Sequence, residues 1–131
     1  MKNIVTSGRR KQSIARAVLT DGNGKVVVNH LDLKIYSPDL ARLKIMEPLM
    51  LSGDTASKVN IKIDVNGGGV MTQADAARLA VARALVQYNS KLKEIFLEYD
   101  RHLLIADIRV KEAAKPNHHG QARARTQTSY R

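Results

Sequence analysis

Three kinds of residue in this chain could do chemistry. The first is Gly67-Gly68-Gly69, which follows an alternating apolar run and precedes an Ala-rich one in VNGGGVMTQADAA. Glycine-rich loops before helices can aim backbone N–H groups at a phosphate. The run matches neither the Gly-Lys-Ser/Thr phosphate loop nor the dinucleotide Gly-x-Gly-x-x-Gly pattern, so a nucleotide phosphate, a tight turn and an RNA-backbone contact all stay open. The second kind is cationic: Arg9, Arg10, Lys11 and Arg16 near one end, Lys115, Arg123, Arg125 and Arg131 near the other. The third is imidazole. His118 and His119 are adjacent, whereas two imidazoles serving one metal from a helix stand four apart, and there is no Cys anywhere to complete a thiolate site. His30 and His102 have no nucleophile or carboxylate arrangement around them that the sequence can reveal. No catalytic constellation emerges, and neither a metal nor a cofactor is implied.

The distribution of charge carries more than its total. Of 22 Lys and Arg against 12 Asp and Glu, residues 1–16 hold five bases and no acid, residues 17–108 balance, and residues 109–131 hold six bases and one acid. Clustering at two ends builds local fields able to hold phosphates, so a polyanionic partner ranks above an acidic small molecule. With aromatics at 4% and no Trp, stacking on single-stranded bases is a poor fit, and recognition of backbone charge and shape a better one. Arg78 has two readings, an RNA contact or an ion pair with Asp75 three residues earlier on a helix.

These residues need a scaffold, and 131 residues with 44% hydrophobic side chains suffice for one core. Ser13–Leu19 alternates as a strand, Asp21-Gly22-Asn23-Gly24 reads as a hairpin turn, and Lys25–Asn29 as the returning strand. Ser37-Pro38 reads as a helix cap and first position, opening a helix to about Met46, with Pro48 ending or kinking it. Val59, Ile61, Ile63 and Val65 mark the clearest strand. Thr72 with Asp75 resembles a capping pair ahead of a helix from Gln73 to about Tyr88, whose stripe is Ala74, Ala77, Val81, Leu85 and Tyr88. A helix over Leu92–Tyr99 and a last strand over Leu103–Val110 complete an α+β layer with helices on one sheet face. After Val110 there is no Val, Ile, Leu, Met or Phe. A globular domain over 1–110 and an extended basic tail over 111–131 are therefore expected. No apolar run approaches a membrane span, and the N-terminal segment lacks a signal peptide's long apolar stretch, so a soluble, cytosolic protein is expected.

Several segments in order resemble one family, the ribosomal small-subunit protein nine family in its archaeal and eukaryotic form. GRRKQSIARAVL is similar to its Gly-Lys/Arg-Arg-Lys-x-x-Ile/Val-Ala-Arg-Ala strand, and LARLKIMEPLMLSG to its middle signature. VNGGGVMTQADAARLAVARAL resembles its triple-glycine loop and Ala-Arg helix, and FLEYDRHLL leads to an ending, GQARARTQTSYR, like the family's own. The resemblance implies a structural, non-enzymatic constituent of the small-subunit head, cytoplasmic in the ribosome. Its fold would be a small mixed sheet with helices on one face, like the second domain of ribosomal protein five. Partners would be small-subunit rRNA, neighbouring head proteins and peptidyl-site tRNA, with no membrane and no small-molecule substrate. Arg9, Arg10, Lys11, Arg16, Gly67, Gly68, Gly69, Arg78, Lys115, Arg123 and Arg125 would meet rRNA, and Tyr130 and Arg131 would approach the tRNA anticodon loop. His118 and His119 stand where the family commonly has basic residues, Thr128 where it has Lys, and His30 where the hairpin region often has Gly. A kinase-like protein using the glycine loop for nucleotide phosphates is the alternative.

The composition beyond Val110 yields a first test. A chain truncated before Ala113 loses no large aliphatic side chain, so its cooperative thermal unfolding, followed by circular dichroism, stays close to that of the full chain. An unfolded truncated chain would make the tail a packed element.

Overall fold

The alternation at Val59–Val65 builds a strand whose inward side chains are all buried and whose Lys62 and Asp64 are exposed. The computed structural model describes residues 3–117, 120, 122 and 123. Strands β1 (Ile4–Arg10), β2 (Ser13–Asp21), β3 (Val26–Val28), β4 (Leu31–Asp32) and β5 (Val59–Asn66) form one mixed sheet in the order β1-β2-β5-β3-β4. Helices α1 (Asp39–Ser52), α2 (Val70–Tyr88) and α3 (Leu92–Tyr99) complete the α+β architecture. In register, Ala15 faces Val65, Ala17 faces Ile63 and Leu19 faces Ile61, so one sheet face is a continuous apolar surface under α2. The opposite face, with Val5, Ile14, Arg16 and Lys62, is open.

Strand β1 has no counterpart in the sequence reading. The reason lies in its inward residues, Ile4, Thr6, Gly8 and Arg10, of which only Ile4 is a large hydrophobe, so the strand shows no apolar alternation. Helix α2 runs too close for anything larger. A Cβ on Gly8 would land on the Ala76 carbonyl oxygen and 2.7 Å from the Ala80 amide nitrogen. One step along, Thr6 Oγ1 donates to the Ala80 carbonyl at 2.8 Å. The small residues of α2 make this approach feasible, and the helix is buried on several sides, between β1 and β2 and against α1. Its Tyr88, placed in the buried stripe by spacing, is 38% exposed at the helix end.

Four other sequence expectations are corrected. The Asp21–Gly24 turn does not close a hairpin: β2 uses its second edge on the long β5, and β3 joins β5 in parallel on the far side. Asn60 Oδ1 shapes that turn by accepting from the backbone N–H of Asn23 and Lys25, both at 3.0 Å. Helix α1 starts at Asp39 with Pro38 as its cap, and it passes through Pro48 to Ser52. Pro48 costs one helical hydrogen bond, but Ala41, Ile45, Pro48 and Ser52 continue one buried row against α2, and that packing outweighs the loss. Helix α2 begins at Val70, a turn earlier than expected, because Thr72 Oγ1 accepts from the Gly69 N–H at 2.9 Å, leaving Asp75 for other partners. Finally, Leu103–Val110 is no strand. A single turn over Arg101–Leu103 buries Leu103, and residues 106–115 then run without helix or ladder.

Strand β1 is thus an edge of the sheet. Arg83 crosses that edge, donating from Nη1 to the Ser7 carbonyl at 2.9 Å and from Nε to the Leu104 carbonyl at 3.2 Å.

The β1–α2 approach predicts a contrast between two glycines. Gly8→Ala forces two backbones apart and lowers stability by roughly 1–3 kcal/mol or more in urea unfolding. Gly69→Ala, whose Cβ would meet nothing within 4 Å, changes it by less than about 1 kcal/mol. Equal effects would refute the close contact.

Candidate nucleic-acid interface

Gly67 and Gly68 both take the left-handed backbone, at φ 80° and 61°. Their main chain is pressed onto the β1–β2 turn: a side chain on Gly67 would strike the Gln12 carbonyl, and one on Gly68 the Ser13 and Thr72 hydroxyls. The loop's polar groups are largely used within it. The Gly67 carbonyl accepts from Ser13 Oγ and Gln73 Nε2, both at 3.0 Å, and the two hydroxyls of Ser13 and Thr72 lie 2.6 Å apart. Glycine here is a tight-turn requirement that seats the start of α2 against the Lys11-Gln12 turn.

That seating creates a cleft of about 820 Å3, lined by Arg9, Lys11, Gln12, Gly68, Gly69, Thr72, Arg109, Val110 and Lys111. Cations from the β1–β2 hairpin and from residues 109–111, about a hundred positions apart in sequence, meet there. Arg109 was missed as a site residue because its segment reads as a strand of the body, and Lys111 because it reads as the start of the extended tail; their position in the basic C-terminal block was the available signal. Arg16 sits elsewhere, on the open sheet face. It lines a second groove of about 800 Å3 with Arg83, Lys93 and apolar Val5, Ile14, Val86 and Leu104.

Two expected contact residues are engaged internally. Arg78 does not pair with Asp75; its Nη2 lies 2.6 Å from Glu47 Oε2 and 3.2 Å from Asp100 Oδ2, tying α2 to α1 and to the end of α3. The Asp100 carboxyl is held below its usual range, first by the His102 backbone N–H it accepts and then by Arg78. Arg10 turns toward the helix side of the sheet, with Nη1 2.6 Å from Asp107 Oδ2 and Nε 3.8 Å from Asp75, which also holds Lys44 at 3.0 Å. Asp107 in turn accepts the Arg109 backbone N–H at 2.9 Å and its guanidinium Nη2 at 2.8 Å. These hydrogen bonds, before the charge of Arg10, push the Asp107 carboxyl far below the ordinary carboxylate range.

Farther along, Lys115 and Arg123 converge on one carboxylate, Glu112, at 2.9 and 3.0 Å. Arg125, Tyr130 and Arg131, and the imidazoles of His118 and His119, lie outside the described residues. Among the described residues, no group of three His, Asp or Glu is placed to hold a metal ion, and no helix is long and apolar enough to cross a membrane.

Comparison with known proteins agrees with the order of motifs. The family model described as ribosomal protein S9/S16 matches residues 8–131. Small ribosomal subunit protein uS9 of Desulfurococcus amylolyticus is 47% identical over 133 residues, covering 100% of this chain and 94% of that protein. The proteins of the same name from Methanothrix thermoacetophila and Methanococcus vannielii are 45% and 42% identical, each covering 100% of both chains. A match that runs from the first glycine of the β1–β2 hairpin to the last arginine, at this identity, leaves one conclusion: the chain belongs to the ribosomal protein S9/S16 family.

Proposed function

We propose that this chain is a structural, non-enzymatic constituent of the small ribosomal subunit, working in the cytoplasm within the ribosome, with rRNA and neighbouring subunit proteins as partners. The relatives' shared name supports the assignment, and one observation gives it a physical form: Arg9, Lys11, Arg109 and Lys111 converge on a single cleft beside a helix start. Four cations around a groove suit the spaced charges of a folded RNA backbone, and arginines offer forked donors to phosphate oxygens. The glycines shape the cleft. The nucleotide-loop alternative weakens because the Gly69 N–H already donates to Thr72, while the other loop contacts tie it to Ser13 and Gln73.

In this reading Arg9, Lys11 and Arg16 meet rRNA directly, Gly67, Gly68 and Gly69 hold the cleft open, and Arg10 and Arg78 support it from inside. Residues 1–110 form the body, and 111–131 a basic extension whose Lys115, Arg123 and Arg125 follow the rRNA. Tyr130 and Arg131 would then reach the peptidyl-site tRNA.

Binding of the full chain to a transcript of the small-subunit rRNA head domain tests the cleft. Log affinity falls with log salt, and Arg9→Ala or Lys11→Ala lowers that slope by roughly 0.7–0.9 for each lost phosphate contact. Arg78→Gln leaves the slope unchanged but destabilises the fold by about 1–2 kcal/mol, since it strands two carboxylates. Salt-independent affinity would sink the reading. For the tail, Arg131→Ala in purified subunits speeds tRNA dissociation from the peptidyl site; an unchanged rate would confine the tail to rRNA.

A further inference from the structure

Two cleft cations, Arg109 and Lys111, stand on a segment that the core does not hold. Beyond Ile105 the chain has no helix or ladder, and its large apolar side chains Ile108 and Val110 are 90% and 65% exposed. Hydrophobic burial therefore does not fix residues 106–111. Among the described residues, the one hydrogen bond or ion pair joining residues 106–117 to residues 3–105 is Arg10 with Asp107. Both partners are mostly covered, with side chains 18% and 16% exposed, while Arg109 is 79% exposed.

We propose that Asp107 is a positioning residue for RNA binding: by gripping Arg10 of β1 and Arg109 of its own segment together, it keeps Arg109 and Lys111 in the cleft, so that a negative charge raises affinity for a polyanion. The inference rests on the rRNA reading above. The geometry is that of a joint. One carboxylate oxygen, Oδ1, accepts the Arg109 backbone N–H at 2.9 Å and its Nε at 3.1 Å, which fixes the backbone turn at 107–109. The other, Oδ2, accepts from Arg109 Nη2 at 2.8 Å and forms an ion pair with Arg10 Nη1, which lies 2.6 Å away without hydrogen-bond geometry and ties that turn to the hairpin by charge. Arg10 is itself braced by Asp75 on α2, and Asp75 by Lys44 on α1, so the alternating charges run from α1 to the cleft rim.

Two effects compete. A carboxylate near bound phosphates repels them, although here its charge is shared between two guanidiniums and screened over a Debye length of about 8 Å at physiological salt. Against this, a segment released from the body must be re-ordered each time it binds, and every residue so ordered opposes binding. Pinning prevails because it serves two cations at once, while the repulsion comes from one anion already matched by Arg10 and Arg109.

The test exploits the opposite signs. Asp107→Asn makes the chain more positive by one charge, so simple electrostatics predicts tighter binding to the head-domain rRNA transcript. Positioning predicts binding weaker by roughly tenfold, with a salt slope lower by roughly 1.4–1.8 as two phosphate contacts are lost. Arg10→Gln should show a similar loss, the double variant little more than either single one, and Asp107→Glu should recover most of the affinity. An Asp107→Asn chain that binds as tightly as wild type, or more tightly, overturns the proposal. A second readout needs no RNA: trypsin should cleave after Arg109 and Lys111 faster in Asp107→Asn, and unchanged cleavage overturns the pinning even if wild-type rRNA binding itself were absent. Urea unfolding of the body should remain cooperative with a nearly unchanged midpoint. Its loss would make Asp107 an element of the fold and overturn the proposal as well.

Discussion

The backbones of β1 and α2 touch at Gly8, and most of what this protein presents to a partner follows from that contact. With no side chain between strand and helix, the hairpin is drawn down until its Lys11-Gln12 turn meets the glycine loop that opens α2. The same approach leaves Arg10, the last inward residue of β1, beside the carboxylates of Asp75 and Asp107. Had β1 carried leucines where Thr6 and Gly8 stand, the hairpin would sit a side chain's thickness higher. The cleft between turn, loop and residues 109–111 would then have no closed side.

Charge in this molecule divides into two populations that composition cannot separate. Arg10, Arg78 and Lys44 are bound to Asp75, Asp107, Glu47 and Asp100, and they join elements of the body. Arg9, Lys11, Arg16 and Lys62 are exposed on the cleft and the open sheet face. Arginine suits the first duty as well as the second, because its rigid fork engages two carboxylates as readily as it engages a phosphate. Arg9 and Arg10 are neighbours in sequence, yet strand alternation sends one to each side of the sheet. Adjacent identical residues thereby acquire opposite roles.

That division marks how far the sequence could be read. Strand β5 was readable because four aliphatic side chains alternate on a half-buried sheet, and α2 and α3 because their apolar positions follow the helical period. Strand β1 was not, since after Ile4 its inward residues are Thr6, Gly8 and Arg10, and the close approach of the helix at Thr6 and Gly8 leaves no room for large apolar side chains there. The turn at Asp21–Gly24 has hairpin chemistry, but neighbouring strands are chosen by the long match between β2 and β5, which no local pattern announces. Pro48 misleads for a similar reason: the row of buried residues on α1 extends past it. Of the cleft, Arg9 and Lys11 were readable as part of a basic run, whereas Arg109 and Lys111 are brought there by a fold-back that depends on Asp107. Family motifs identified the chain more surely than any single site residue, because their order spans almost its whole length.

Arg83, lying across the outer edge of β1, also bears on how copies of this chain behave toward one another. A seven-residue edge strand offers unpaired amides and carbonyls to any extended segment that comes alongside, the usual seed of strand-to-strand aggregation. Here the Ser7 carbonyl is already taken and a fixed cation stands where the incoming strand would run. Two copies meeting edge to edge would bring two such guanidiniums together and would have to break both carbonyl bonds first. The long β1 edge is thus guarded against self-extension by one side chain, while the other edge, β4, is only two residues long, and the chain's crowded positive charge is kept for a partner of the opposite sign.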